Sequence, residues 1–427
     1  MIFKEGIRIF LFFEIIRKKT VYLAIALTLL SSNIIFNIPV SSILLSEDLS
    51  VYLPIFIVFH ALTLAITSII FYLALKEKLP IIRLYHALLF FIIIEAAFRL
   101  IIFSPVLSSV SSLSILKKPS LYFQIYDDRF WVLHDRYKNF QSYDKTSIDP
   151  QLGWISQNEN QEKNELNSNG TKYKKLSDIQ KRPLLFYGDS MVASVTSEDS
   201  YITTFIEKKN DNYSAINLGV GGYGVGQIIR RFELDYPDYK HLKPKVLIGI
   251  YLLDIYRTPL QFRGSQKSYF SIDDDKLNFN QVKYKTNKDY IENFSFSTTI
   301  FTVSLAKNFF QRMTRRFYIN KSIVNLNYEI IKYAKQFIEK NNVDATFVLM
   351  YDSYRALQMT SEEQALKDIF EKLELDYIDT KISITEYLNK NNLPYKSLWF
   401  SPSDMHLNDI GNEVLAEQII GHFSFKD

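Results

Sequence analysis

Cysteine is absent from the 427-residue chain. That absence excludes a disulfide framework, a thiolate zinc site, an iron–sulfur cluster and a Cys nucleophile together. It leaves the redox compartment open, because either side of a membrane tolerates it. A surplus of one charge is also missing: 50 Lys and Arg stand against 46 Asp and Glu, too even a balance for a dedicated nucleic-acid binder. Histidine is scarce, with six in all. No internal repeat is visible, and the length suits two or three domains. The hydrophobic share of 47% is that of an ordinary soluble protein, but it is unevenly spread.

Three long apolar runs crowd the N-terminal part. Residues 20–46 and 51–75 carry no charged side chain, and a third run covers about 82–103. Each reaches the roughly 20 residues a helix needs to cross a bilayer, and three in succession favour membrane spans over buried core helices. The first is too long for the core of a signal peptide, and no small-residue cleavage site follows it. Residues 1–19 mix apolar and basic side chains and read as an amphipathic helix on the membrane surface.

Lys4, Arg8, Arg17, Lys18 and Lys19 precede the first run, and Lys76, Lys78 and Arg83 lie at the junction of the second and third. The loop between the first two holds Glu47 and Asp48. By the positive-inside bias, the N-terminus is cytoplasmic and everything after Phe103 faces the periplasm or the exterior. Glu95 and Arg99, four apart in the third run, are expected to neutralise each other and serve helix packing. The expected organisation is a membrane anchor over 1–103 with spans at about 20–45, 51–75 and 82–103. A linker or lid region over 104–180 and an outer domain over 181–427 follow it.

In the outer domain, short apolar runs at 183–188, 214–220, 244–252, 344–352 and 375–380 read as strands. Segments 201–209, 226–234, 322–342 and 408–423 read as helices. Buried strands separated by helices imply an α/β fold, a parallel sheet covered on both faces. In such folds ligands gather at the carboxyl ends of the strands. Residues 260–300 and 353–373 break the rhythm and read as loops or surface insertions.

Gly188-Asp189-Ser190 directly follows the first of these strands. A serine at a strand-to-helix turn can project its hydroxyl from the sheet edge, where the helix N-terminus favours developing negative charge. Alone, the tripeptide reads as well as a turn or helix-cap serine. Far downstream, Asp404-Met405-His406 precedes the last helix. An imidazole needs a carboxylate to fix its tautomer and a hydroxyl to deprotonate, and the two segments supply both. Between them, Gly219-Val220-Gly221-Gly222-Tyr223-Gly224 follows the second strand, where glycines let backbone N–H groups approach a reacting oxygen. The same stretch matches G-x-G-x-x-G, but it follows the second strand rather than the first and no acid ends a strand about 20 residues on, so a dinucleotide site is discounted.

In this order and at these strand ends, the motifs resemble those of the SGNH (GDSL-type) hydrolases. Ser190 matches the nucleophile block, Gly222 the glycine whose N–H joins that of Ser190 in an oxyanion hole, and Asp404 and His406 the acid–base block. The segment Asp149-Pro150-Gln151-Leu152-Gly153-Trp154 and the segment Asn167-Ser168-Asn169-Gly170 are similar to stretches that precede the nucleophile in many bacterial relatives. The resemblance covers about residues 149–427. It implies a flavodoxin-like three-layer parallel sheet, here preceded by a bundle of three transmembrane helices. It also implies Ser–His–Asp chemistry without cofactor or metal, with Asp189 and Asp254 in supporting places. Two departures stand out. Leu253 occupies the position where an asparagine usually donates to the oxyanion, and Asp404 lies two residues before His406 where many relatives have the acid three before.

The resulting expectation is a membrane-anchored, outward-facing serine esterase or O-acyltransferase acting on acyl esters of cell-envelope glycans or lipids. Its partners would be the bilayer, an acyl-ester or glycan substrate and other membrane proteins, with no nucleic acid among them. The competing expectation is a non-catalytic domain of the same type that binds envelope polysaccharide or a protein partner, its hydrolytic power eroded at Leu253.

Overall fold

A computed structural model describes residues 80–103, 115–137, 147–155, 179, 181–314, 320–352, 355–356, 359–401 and 404–424. The chain divides into two compact units, one of residues 1–125 with 295–317 and one of 126–294 with 318–427. The expected spans at 20–45 and 51–75 lie outside the described residues. The third is helical over Pro80–Phe103. Among the described residues no helix is long and apolar enough to cross a membrane.

In the first unit, the charged pair of that helix holds the turn before a second helix, Phe301–Thr314. The Glu95 carboxylate accepts the backbone N–H groups of Phe301 and Thr302 and the Thr302 hydroxyl, each at 3.0 Å. It thereby satisfies donors that a helix start leaves without partners. Arg99 pairs with Glu95 at 3.1 Å and donates to the carbonyls of Phe296 and Thr299. Phe301 packs against the rings of Phe103, Tyr122, Phe123 and Phe296.

The second unit is built on five parallel strands: β3 Arg182–Gly188, β4 Tyr213–Gly219, β5 Lys245–Tyr251, β8 Asp344–Met350 and β9 Tyr377–Asp379. Two hairpins lie outside this sheet, β1 Ser147–Asp149 with β2 Gly153–Ile155 and β6 Tyr269–Asp273 with β7 Lys276–Asn280. The sheet order is β4-β3-β5-β8-β9, all neighbours parallel. That is the flavodoxin-like order 2-1-3-4-5, whose chain reversal opens a crevice at the carboxyl ends of the first and third strands. Leu184, Leu185, Phe186 and Tyr187 of β3 are all fully buried, because a strand covered on both faces needs apolar residues in succession rather than alternation. One set of helices, Val225–Tyr239 and Lys321–Asn341, packs together over β3 and β5. Another, Ile202–Lys209, Thr380–Lys390 and Asp409–Ser424, packs together over β4 and β8.

Two stretches expected as loops hold regular structure. Residues 260–300 contain the β6–β7 hairpin, which turns at Asp274 and Asp275, both with positive φ (51° and 57°), and the helix Asn287–Asn293. Residues 353–373 contain the helix Ser361–Lys372, capped by the Thr360 hydroxyl accepting the Glu363 N–H at 3.2 Å. Leu366, Ile369 and Phe370 form its buried stripe. A T-x-x-E start and an i, i+3, i+4 stripe were present in the sequence but were hidden by the surrounding charges. The helix read as 226–234 runs to Tyr239, with Pro237 inside its last turn.

Candidate active site

β3 ends at Gly188, where a Cβ would lie 2.2 Å from Val192 Cγ2, so only glycine lets the strand fold directly into the short helix Ser190–Ala193. Asp189 caps that helix, its carboxylate accepting the Met191 N–H at 2.8 Å. This sets Ser190 at the first helical position, partly exposed at the carboxyl edge of the sheet. Asn412, in the first turns of Asp409–Ser424, donates to Ser194 Oγ at 3.1 Å and to the Ser200 carbonyl at 2.9 Å. The C-terminal helix is thereby tied to the segment that follows the serine.

The loop before that helix delivers the imidazole. Asn408 donates to the Ser397 carbonyl at 2.8 Å and accepts the Gly411 N–H at 3.0 Å, and the Phe400 N–H donates to the His406 carbonyl at 2.9 Å. His406 Nε2 lies 2.8 Å from Ser190 Oγ, and His406 Nδ1 lies 2.6 Å from Asp404 Oδ1. The carboxylate also accepts the His406 backbone N–H at 3.1 Å. Partial burial works against the Asp404 charge, but the side-chain and backbone hydrogen bonds from His406 outweigh it and hold the carboxyl below its ordinary range. An ionised Asp404 accepts a hydrogen bond from Nδ1–H, which leaves Nε2 as acceptor for the serine hydroxyl.

Opposite the imidazole stands the glycine turn. A Cβ on Gly221 would lie 3.8 Å from Ser190 Cβ. Gly222 has φ +85°, in the left-handed region that favours glycine. Both carbonyls of the turn are occupied: Trp154 Nε1 donates to Gly221 O at 3.1 Å, and Arg263 Nη1 donates to Gly222 O at 3.1 Å. The Tyr223 hydroxyl donates to the Trp154 carbonyl at 2.8 Å. The segment 149–154 is therefore the β1–β2 hairpin that braces this turn, while 167–170 lies outside the described residues. With its carbonyls held, the turn can offer an N–H to an oxyanion.

Asp189 and Asp254 meet at a residue the sequence did not single out. Arg257 Nη1 lies 2.6 Å from Asp189 Oδ2 and 2.7 Å from Asp254 Oδ1, all three side chains being buried. Burial, reinforced by the Asp189 charge, pushes the Asp254 carboxyl well above its usual range. Burial also opposes the Arg257 cation, but Asp254 and Asp189 more than compensate and raise its pKa. The i, i+3 spacing of Asp254 and Arg257 was visible, whereas Asp189 reaches Arg257 only through the fold. Leu253 is buried at the end of β5's turn and brings no side-chain donor. Among the described residues, no group of three or more His, Asp or Glu is arranged to hold a metal ion.

No family model matches the chain, and no curated protein does. Solved structures do. The acetyl xylan esterase AlAXEase is 16% identical with a TM-score of 0.35, over 56% of this chain and 98% of that one. Axe2, an acetylxylan esterase from Geobacillus stearothermophilus, is 14% identical with a TM-score of 0.32, over 56% and 93%. A lipase/acylhydrolase from Enterococcus faecalis is 13% identical with a TM-score of 0.33, over 57% and 96%.

Proposed function

We propose that the chain is a serine-dependent hydrolase of ester bonds, with acyl transfer to a second hydroxyl as the variant reaction of the same site. The observation that carries this reading is the relay Ser190 Oγ–His406 Nε2 at 2.8 Å and His406 Nδ1–Asp404 Oδ1 at 2.6 Å. In the first step Ser190 Oγ bonds to the ester carbonyl carbon while its proton passes to His406 Nε2, and the carbonyl π pair moves onto oxygen. The N–H groups of Ser190 and Gly222 receive that oxyanion. As the tetrahedral centre collapses, the C–O bond to the alcohol breaks and His406 returns the proton to the leaving oxygen. A water or sugar hydroxyl then attacks the acyl-serine, giving its proton to His406, and the second collapse restores Ser190.

The anchoring and outward orientation are part of the proposal. They rest on the uncharged runs at 20–46 and 51–75 and on the basic loops around them. An exterior location suggests acyl esters of envelope glycans or lipids as substrates. Leu253 favours the second reading, a binding domain, because losing one oxyanion donor costs about 2.7–4 kcal/mol of transition-state stabilisation. Such a loss slows a relay of this geometry rather than removing it.

The test uses the purified full chain with 4-nitrophenyl acetate and a fluorophosphonate probe. The expected result is turnover and covalent labelling, both abolished by Ser190→Ala, with the rate falling by about 10⁴-fold or more. Absence of both turnover and labelling in the wild type would overturn the esterase reading and leave the binding one.

A further inference from the structure

Arg263 stands over the oxyanion turn with no counterion among the described residues. Its Nη1 makes one hydrogen bond, to Gly222 O at 3.1 Å, and its guanidinium carbon lies 5.3 Å from the centre of the Trp131 ring. Among the described residues no carboxylate reaches ion-pair distance of it, whereas the neighbouring Arg257 holds two. A guanidinium carries five N–H donors, so most of Arg263's remain for something else. Burial, then the Arg257 charge, push its pKa down to about 10, which still leaves it cationic at neutral pH. Placing a partly desolvated cation without a partner is unfavourable. That cost is offset when a ligand supplies the anion.

The position is close to the chemistry. A Cβ on Gly222 would lie 2.2 Å from Arg263 Nη1 and 3.3 Å from Trp154 Cζ2, and Gly221 is the residue that faces Ser190. The charge count selects the anion. The Arg257 charge is matched by Asp189 and Asp254. Lys267, buried with its Nζ donating to the Arg257 carbonyl at 2.5 Å, is pushed down by burial to about 7, which weakens it as a cation at neutral pH. One open guanidinium, with no second free cation beside it among these residues, matches a planar monoanion better than a phosphate dianion.

We propose that Arg263 is a specificity residue that binds a carboxylate of the substrate, so that the preferred ligand is an acidic saccharide of uronate type rather than a neutral one. This rests on the esterase reading for its setting, but its test does not need turnover. Titration calorimetry of the full chain with an unacylated oligoglucuronide and a neutral gluco-oligosaccharide of equal length measures the preference directly. The acidic ligand is expected to bind about tenfold or more tightly, to weaken with salt, and to lose most of that margin in Arg263→Gln. Arg263→Lys, which keeps the charge but not the fork, should fall between. Equal affinity for the two ligands in the wild type, or a preference that survives Arg263→Gln, overturns the proposal. An inert protein that still prefers the oligoglucuronide would remove the esterase reading and leave the subsite standing.

Discussion

Asp404 reaches His406 across only two residues because one carboxylate oxygen does two tasks. Oδ1 accepts the backbone N–H of His406 at 3.1 Å and its Nδ1–H at 2.6 Å, so the acid closes a local turn and orients the ring with the same atom. Asp404→Asn is expected to keep the turn while losing control of the tautomer, lowering kcat by about 10²–10⁴-fold in the ester assay. The pH dependence has a definite sign. The Asp404 carboxyl is held below its ordinary value in the fold, so its stabilising share is present above the unfolded carboxylate range and is lost as pH falls through the folded value. The melting temperature of Asp404→Asn should therefore trail the wild type at neutral pH and converge with it below about pH 4; parallel curves would refute the assignment. Ser190, Asp404 and His406 were legible in the sequence because each sits in a contiguous motif at a strand end or helix start. Arg263 was not, since its meaning comes from Gly222, a residue 41 positions away in the chain.

The elements around the serine are pinned by charge as much as by packing. Arg257 ends the short helix Asp254–Arg257 after β5, and it binds the cap of the helix that begins at Ser190. Its ring neighbour Tyr251 donates to Asp352, which pairs with Arg355 at 2.5 Å, so the ends of β5 and β8 are drawn into the same network. Removing one partner of such a buried set strands the others. Arg257→Met is expected to destabilise the fold by about 3–5 kcal/mol in urea unfolding, and Arg257→Met with Asp254→Asn to recover part of that loss. An Arg257→Met variant as stable as the wild type would show that the two acids are neutral and need no cation. At this scale the sequence shows the five strands as mostly apolar runs, since a sheet covered on both faces needs apolar residues in succession. It conceals the helix Ser361–Lys372 and the β6–β7 hairpin, whose buried residues are diluted by Asp, Lys and Glu that face solvent.

At the scale of the whole molecule, the first unit joins a segment far along the chain to the helix that closes the N-terminal part. Glu95 and Arg99 lie toward the C-terminal end of Pro80–Phe103 and hold residues 296–302, so Phe301–Thr314 stays beside that helix. Both helices leave large apolar side chains exposed, Ile92, Ile93 and Leu100 on one and Val303 and Phe310 on the other. The absence of cysteine makes the orientation directly measurable, because any cysteine introduced singly is the only thiol in the protein. Asp48→Cys, Lys78→Cys and Asp275→Cys report the loop after the first run, the loop after the second, and the tip of the β6–β7 hairpin. With a membrane-impermeant maleimide on intact cells, the positive-inside reading requires labelling at Asp48→Cys and Asp275→Cys, and labelling of Lys78→Cys only after lysis. The reverse pattern would place the serine on the cytoplasmic side and withdraw envelope glycans as substrates. Labelling of all three in intact cells would mean that the runs at 20–46 and 51–75 do not cross the membrane.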